Sequence, residues 1–108
     1  LVYIPDIDKW SKWKTNIKTI IMESSFALLD GTFFAGNEIP NRNMSEIPHP
    51  FVVESMNLMH HLPESEKEKI HFIHLNHTNP LHDPESSEAK SVQNKGFNIA
   101  REGQIFPL

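Results

Sequence analysis

The chain has 108 residues, 38% of them hydrophobic and 22% charged, which is the composition of one ordinary globular domain spanning 1–108. Its formal net charge of −4 argues against nucleic acid as a partner of this acidic chain alone, because binding a phosphate backbone requires clustered cations. There are no cysteines, so a metal site would have to use carboxylates and some of the seven histidines.

No apolar run approaches the ~20 residues that cross a membrane, and no signal peptide is visible. The expected location is therefore the cytoplasm, with no membrane partner. The first residue is Leu1 and it already belongs to an apolar run, so the chain is expected to be cut from something longer or trimmed at its start.

The first half of the chain contains two predicted strands with a helix between them. Residues 1–4 form a short apolar run, and Pro5 ends its hydrogen-bonding ladder. Apolar residues then recur every three or four positions over 10–21, which predicts a helix with Asp8 as its cap. The second strand, 26–29, leads to Asp30.

A long loop and a second helix follow. Residues 31–50 are rich in Asn, Gly and Pro, and a loop of this length in a small domain is usually functional or disordered. Pro50 opens a predicted helix that carries apolar residues through Met59. The charged segment 63–69 is interpreted as an exposed face or short turn.

The last third begins with a predicted strand over 70–75. Asp83 is expected to cap the next helix, with Pro84 at its favoured first position. Gly96 follows that helix as its terminating residue. Two short apolar runs, 97–100 and 104–106, predict a terminal hairpin.

Strands alternate with helices along the chain, which predicts an α/β layered fold with a largely parallel sheet. Three of the strands end at a polar residue: Asp6, Asp30 and His74. In a parallel sheet these residues share the carboxyl edge, where open α/β sheets bind ligands. That edge is the candidate site.

Carboxylate with imidazole suits zinc, manganese or iron. Asp6 is a candidate ligand that bridges two metals, and His74 is a candidate ligand to one of them. Two such metals activate water and stabilise the leaving oxygen of a phosphoester. Asp30 and His49 are candidates for a proton-relay pair in which the carboxylate fixes the imidazole tautomer.

Each of these residues also has a simpler interpretation. An Asp at a strand end commonly caps a helix or a turn, and a His in a strand-to-loop position commonly hydrogen-bonds the backbone. His60 and His61 lie near a helix end and are expected to interact with terminal carbonyls. His71 and His74 are separated by an odd number of positions, so they are not expected to share a metal.

Several segments, taken in order, resemble the C-terminal half of metallo-β-lactamase-fold hydrolases, with the coenzyme PQQ synthesis protein B-like group as the most similar. The most specific segment is Phe72-Ile73-His74-Leu75-Asn76-His77-Thr78-Asn79-Pro80. The others are Tyr3-Ile4-Pro5-Asp6, Leu28-Leu29-Asp30-Gly31-Thr32-Phe33, Pro48-His49-Pro50 and Gly96-Phe97-Asn98-Ile99-Ala100-Arg101-Glu102-Gly103.

The resemblance implies half of an αββα sandwich with a dinuclear metal site at the sheet edges. By position, Asp6 resembles the metal-bridging Asp and His74 the last metal-binding His of the family. Asp30 and His49 resemble the acidic residue and the histidine that tRNA-processing relatives use near the scissile phosphate. Those relatives have Glu in place of Asp30, and Ser-Thr in place of the Pro that follows His49.

The family's main metal motif, His-x-His-x-Asp-His, is absent from this sequence. At most two of the family's metal ligands remain, whereas catalytic zinc sites normally supply three protein ligands. Two hypotheses follow. The chain is either a fragment of a metal-dependent hydrolase, inactive alone, or a non-catalytic module that dimerises or binds a partner.

In the fragment hypothesis the cofactor is zinc, manganese or iron, or none in this chain by itself. Half of a sandwich would leave one sheet face uncovered, and an apolar face of that kind needs a cover. The expected cover is a second copy of the chain in a homodimer, or a complementary N-terminal half.

Overall fold

The computed structural model describes residues 1–4, 8–10, 16–36 and 49–104. Its centre is a sheet of four strands, Val2–Ile4 (β1), Ala27–Asp30 (β2), Ile70–Ile73 (β3) and Asn98–Ile99 (β4). The strands lie in the order in which they occur along the chain, and every neighbouring pair is parallel. The predicted α/β class with a parallel sheet is confirmed.

Four α-helices and one short 3₁₀ helix are described between these strands. Helix α1 connects β1 to β2, helices α2 and α3 connect β2 to β3, and the 3₁₀ helix and α4 connect β3 to β4. Their bounds are Ile17–Met22 (α1), Val52–Leu58 (α2), Glu64–Lys67 (α3), Pro80–His82 (the 3₁₀ helix) and Ser87–Asn94 (α4). Within the described segments, no helix has the length and apolar character to span a bilayer.

The hydrophobic core lies on one face of the sheet. Alternate strand residues, including Leu29 and Phe72, are fully buried there. Helices α1, α2 and α4 contribute to the same cluster, for example through Ile21, Met56 and Val92. When spatial order follows chain order, right-handed crossovers bring every connecting helix to the same face. The sheet thus has a helix-covered face and an opposite face.

The opposite face carries one residue from each strand in a single row. Strand pairing aligns Tyr3 with Leu28, Leu28 with His71, and His71 with Asn98. Tyr3 is 62% exposed, whereas His71 is only 6% exposed. This opposite row (Tyr3, Leu28, His71 and Asn98) is therefore open to solvent at the β1 edge and closed at β3.

The third strand is shorter than predicted, because β3 ends at Ile73 and not at residue 75. His74 has a φ of +63°, in the left-handed region that few residues other than glycine adopt. A residue in this conformation cannot continue an extended strand, so the chain turns away from the sheet there. The apolar pattern through Leu75 does not encode that turn.

The fourth helix also begins later than predicted. Ser86, not Asp83, is its cap, and the Ser86 hydroxyl accepts a hydrogen bond from the backbone N–H of Ala89. The Asp83 carboxylate instead accepts from the N–H of Glu85 within the preceding turn. The predicted end of the helix is confirmed, because Lys95 is its last cap residue and Gly96 has a φ of +94°.

Two further predictions are only partly described. Helix α1 begins at Ile17 with the Asn16 side chain as its cap, and residues 11–15 of the predicted helix lie outside the described residues. Strand β4 pairs parallel with β3 and is followed by a turn at Glu102 and Gly103. Most of the second strand of the predicted hairpin, 104–106, lies outside the described residues.

Candidate functional site

Asp30 ends β2 at the carboxyl edge of the sheet and is fully buried. Its Oδ1 accepts two hydrogen bonds from Thr32, one from the backbone N–H at 2.9 Å and one from the hydroxyl at 2.7 Å. An Asp side chain commonly accepts a hydrogen bond from the backbone N–H two residues later, and this contact closes a tight turn. A buried carboxylate must be paired in this manner, since burial without partners is costly.

His49 contacts the other oxygen of the same carboxylate. The distance from His49 Nδ1 to Asp30 Oδ2 is 2.7 Å. The imidazole lies edge-on against the Phe33 ring, with 6.1 Å between ring centres. Val52, three residues after His49, donates its N–H to the Phe33 carbonyl. This hydrogen bond anchors the start of α2 beside the loop after β2. The predicted contact between Asp30 and His49 is therefore present.

His74 joins the same network through Thr32. Its Nδ1 lies 3.1 Å from the Thr32 hydroxyl oxygen. The single hydroxyl proton of Thr32 is already donated to Asp30, because a carboxylate can only accept. The hydroxyl must therefore accept from Nδ1–H of His74. This fixes the neutral His74 tautomer with its lone pair on Nε2.

A single buried carboxylate thus orients two imidazoles. Asp30 accepts from Nδ1 of His49 and from the hydroxyl of Thr32, and that hydroxyl in turn accepts from Nδ1 of His74. In each ring the remaining nitrogen, Nε2, carries the lone pair when the ring is neutral. An imidazole oriented in this way can accept a proton or bind a metal.

Asn79 holds the two strand-end loops together. Its side-chain amide is buried and donates to the carbonyls of Gly31 and Thr32, at 2.7 and 3.2 Å. Its side-chain oxygen accepts from the N–H of Leu81 and so caps the 3₁₀ helix. Asn79 therefore stabilises the backbone of the loop that carries Thr32 and the polar network.

Of the four residues predicted for the site, the structure brings together Asp30, His49 and His74. Asp6 lies outside the described residues. Sequence reasoning missed Thr32, which connects the buried carboxylate to His74. The Asp-Gly-Thr spacing was its available signal, because Asp and Thr two residues apart often hydrogen-bond across a turn.

Two of the remaining histidines, His60 and His71, contact backbone carbonyls away from the polar network. His60 contacts the carbonyl of Asn57 at the end of α2, at 2.8 Å, as expected for a histidine near a helix end. His71 is buried on the opposite row, whereas His74 is exposed, so the two do not meet. Desolvation lowers the pKa of His71, and a backbone hydrogen bond to Lys69 partly opposes that shift.

The described residues do not form a complete metal site. Among them there is no group of three or more His, Asp or Glu side chains that could hold an ion. His74 offers one suitably oriented nitrogen, and a tightly held catalytic metal normally needs three protein ligands. Any further ligands must come from Asp6, other residues outside the described segments, or another chain.

Two cavities flank the helices and the sheet. One, of about 400 Å³, is lined by His74, His82 and Arg101 at the carboxyl ends of β3 and β4. The other, of about 580 Å³, lies near the start of β4 and is lined by residues such as Met56 and Phe97. The smaller cavity borders the polar network and the larger one does not. We therefore associate the smaller cavity with the candidate site.

No family model and no curated protein sequence matches the chain. Its structure is similar to the 1.98 Å crystal structure of Zn²⁺-bound PqqB from Methylobacterium extorquens, with a TM-score of 0.76 and 22% sequence identity. The match covers 98% of this chain and 39% of the PqqB chain, so the present chain spans well under half of that protein. PqqB has the metallo-β-lactamase fold, and the four-stranded parallel sheet with its helices is consistent with half of that fold.

Proposed function

We propose that this chain is the C-terminal part of a metal-dependent hydrolase of the metallo-β-lactamase fold, acting on a phosphodiester or similar ester. The observation that carries the proposal is the buried Asp30 carboxylate, which orients His49 directly and His74 through Thr32. A core carboxylate that serves two imidazoles at a strand end is typical of a catalytic edge. The zinc in the similar PqqB structure supports the choice of metal.

In this proposal His74 and Asp6 are metal ligands, and the metal is zinc, manganese or iron. When bound, such a metal activates water and stabilises a leaving oxygen. The remaining ligands come from a complementary N-terminal half or from a second copy of the chain. The chain alone is therefore inactive, or active only as an oligomer.

Asp30 and His49 form the proton relay. The carboxylate accepts the Nδ1 hydrogen bond and holds the ring in one tautomer, so His49 Nε2 is the nitrogen that takes or returns a proton. The surrounding burial favours this arrangement, because Asp30 is inaccessible to solvent and the His49 side chain is only 18% exposed. Relays of this kind contribute about 10²–10⁴-fold to rate.

The test is the metal content of the purified full chain, measured by elemental analysis together with its mass in solution. We expect near-stoichiometric metal after loading, lost in His74→Ala and in Asp6→Ala. His60→Ala is the matched control, since His60 contacts a helix-end carbonyl and the ring of His61 and should leave the metal in place. In an active assembly, His49→Gln should lower kcat about 100-fold while retaining the metal.

Failure to bind any metal in all of these proteins, together with a stable dimer, would contradict the hydrolase proposal for this chain. A non-catalytic module that dimerises or binds a partner is then the second candidate. The observation that favours it is apolar exposure at the β1 edge, where Leu1 is 55% and Tyr3 62% exposed. Exposed apolar residues at a sheet edge are suited to contact with another protein surface.

A further inference from the structure

The cavity of about 400 Å³ at the carboxyl ends of β3 and β4 has an unusual polar lining. His74, His82 and Arg101 contribute groups that are cationic or can become so, and Glu102 contributes the one carboxylate among the lining residues. A volume of this order accommodates a small ligand or one end of a larger one. The cavity borders the exposed His74 and is therefore continuous with the site already described.

Within the described part of the chain, the guanidinium of Arg101 is held through one of its nitrogens. Its Nη1 donates to the carbonyl of Leu81 at 2.8 Å, which fastens the end of β4 to the 3₁₀ helix. Its Nη2 is buried and, among the described residues, is the one buried side-chain nitrogen or oxygen that lacks a hydrogen-bond partner. Leaving such a donor unmatched costs about 1–3 kcal/mol, and more for a charged group.

The chemistry of this unmatched donor indicates what would satisfy it. A guanidinium is a planar fork of N–H donors that matches the two oxygens of a carboxylate or phosphate. His82 lies alongside with its ring fixed, because its Nε2 donates to the carbonyl of Asn76 at 3.0 Å. Arg101 and His82 therefore approach the cavity from two different segments of the chain.

We propose that this cavity binds an oxyanion, a carboxylate or a phosphate group, with Arg101 as its principal donor. Nη2 is shielded from solvent, so binding involves a small rotation of the guanidinium towards the cavity about its tether at Leu81. Oxyanion binding rests on the cavity alone. The further statement that the oxyanion belongs to an ester substrate rests on the proposed function.

The test uses the full chain, freed of metal with a chelator, and two probes: inorganic phosphate and acetate. The chain has only two arginines, Arg42 and Arg101, so their side-chain N–H signals are readily assigned by nuclear magnetic resonance. We expect a saturable shift of the Arg101 signal with at least one probe. The more tightly bound probe identifies the oxyanion as phosphate or carboxylate.

Variants separate a specific site from general charge attraction. Arg101→Gln should weaken binding at least tenfold, and Arg101→Lys should also weaken it because the fork is lost. Lys90→Gln is the matched control, as it removes a positive charge from an exposed side chain on α4 and should change nothing. Glu102→Gln should tighten binding, because it removes the negative charge that lines the cavity.

No saturable shift of the Arg101 signal in the wild-type chain with either probe would overturn the proposal, and this readout does not depend on whether any variant folds. An equal loss of affinity in Lys90→Gln would overturn it as well. Both probes are titrated into the metal-free chain, so their binding is measured independently of the metal content that tests the hydrolase proposal. Failure of the hydrolase proposal is thereby distinguishable from failure of the oxyanion site.

Discussion

At the scale of single residues, Thr32 connects two groups of the candidate site by hydrogen bonds. Its hydroxyl donates to Asp30 at 2.7 Å and accepts from His74, whose Nδ1 lies 3.1 Å away. The direction of both hydrogen bonds follows from the acceptor-only character of a carboxylate. Thr32 thus links the fully buried Asp30 carboxylate to the exposed His74 ring and orients that ring.

Thr32→Val keeps the shape of the side chain and removes the hydroxyl. We expect His74 to change from one tautomer, with the proton on Nδ1, to a mixture of both. The variant should also lose about 1–2 kcal/mol of stability, because the Asp30 carboxylate loses a buried donor. Nitrogen chemical shifts of the imidazole report the tautomer directly, and Thr19→Val on the exposed side of α1 is the control. A wild-type His74 protonated on Nε2 would contradict this direction of the hydrogen bond between Thr32 and His74.

His71 makes stability depend on pH. Burial lowers its pKa below the ordinary value of 6.5, so the folded chain takes up this proton less readily than the unfolded chain. As pH falls through about 6.5, the unfolded state gains the proton first and the free energy of unfolding decreases. The stability that neutral His71 contributes to the folded chain is fully present above about pH 6.5 and is lost as the pH falls below it.

His71→Gln should therefore show a shallower fall in the free energy of unfolding between about pH 7 and pH 5. Denaturant unfolding at several pH values measures this slope. His77→Gln, in an exposed loop, is the control and should keep the wild-type slope. Equal slopes in wild type and His71→Gln would show that His71 is not the group responsible.

At the scale of elements, the carboxyl ends of β2 and β3 lie unusually close. The N–H of Gly31 donates to the carbonyl of Ile73 at 2.7 Å, so the ladder continues one residue past β2. A Cβ added at Gly31 would lie 2.9 Å from the Cβ of Phe72 and 3.0 Å from the Ile73 oxygen. Glycine is required there because two backbones meet without room for a side chain.

Gly31→Ala should destabilise the chain by about 1–3 kcal/mol, because the contact is with a neighbouring strand that cannot yield easily. Gly36→Ala is the matched control. There the nearest atom is the far edge of the Phe51 ring, at 3.3 Å, and the ring can shift. Thermal or denaturant unfolding of the two variants measures the difference, and equal losses would mean that close strand approach is not the cause.

Strands β1 and β2 were predictable from sequence because a short apolar run followed by Pro or Asp is a local signal. The end of β3 was not, since a left-handed His74 leaves no trace in the apolar pattern. Asp30 and His49 were predicted as a proton-relay pair from their residue types at the carboxyl edge, and the structure shows that these residues, 19 positions apart, are in contact. Thr32 was missed because its role depends on His74, which only the fold brings near.

At the scale of the whole molecule, the sheet has two unequal faces. Helices α1, α2 and α4 all pack on the same side, and the opposite row ends at an exposed Tyr3. The similar PqqB structure is more than twice as long as this chain, which covers 39% of it. A second copy or another partner against the β1 edge is what the second candidate function, a module that dimerises or binds a partner, requires.

If the chain forms a homodimer through this edge, Tyr3→Glu should shift its mass in solution from dimer to monomer, because it places a charge on the contact surface. Met22→Glu is the matched control. Met22 is an equally exposed apolar residue, at 60%, but it lies at the end of α1. Light scattering gives the mass, and a wild-type chain that is monomeric at every concentration would remove the homodimer from consideration.

The left-handed backbone conformation of His74 costs stability that a glycine at this position would not cost. A non-glycine residue with a φ of +63° carries about 1–2 kcal/mol that glycine would not. His74→Gly should therefore be more stable than His74→Ala by about 1 kcal/mol, as measured by denaturant unfolding, because both lose the imidazole and only one relieves the backbone. Selection for stability alone would favour glycine at this position. A lineage freed from any chemistry at this position would be expected to drift towards Gly or Asn there.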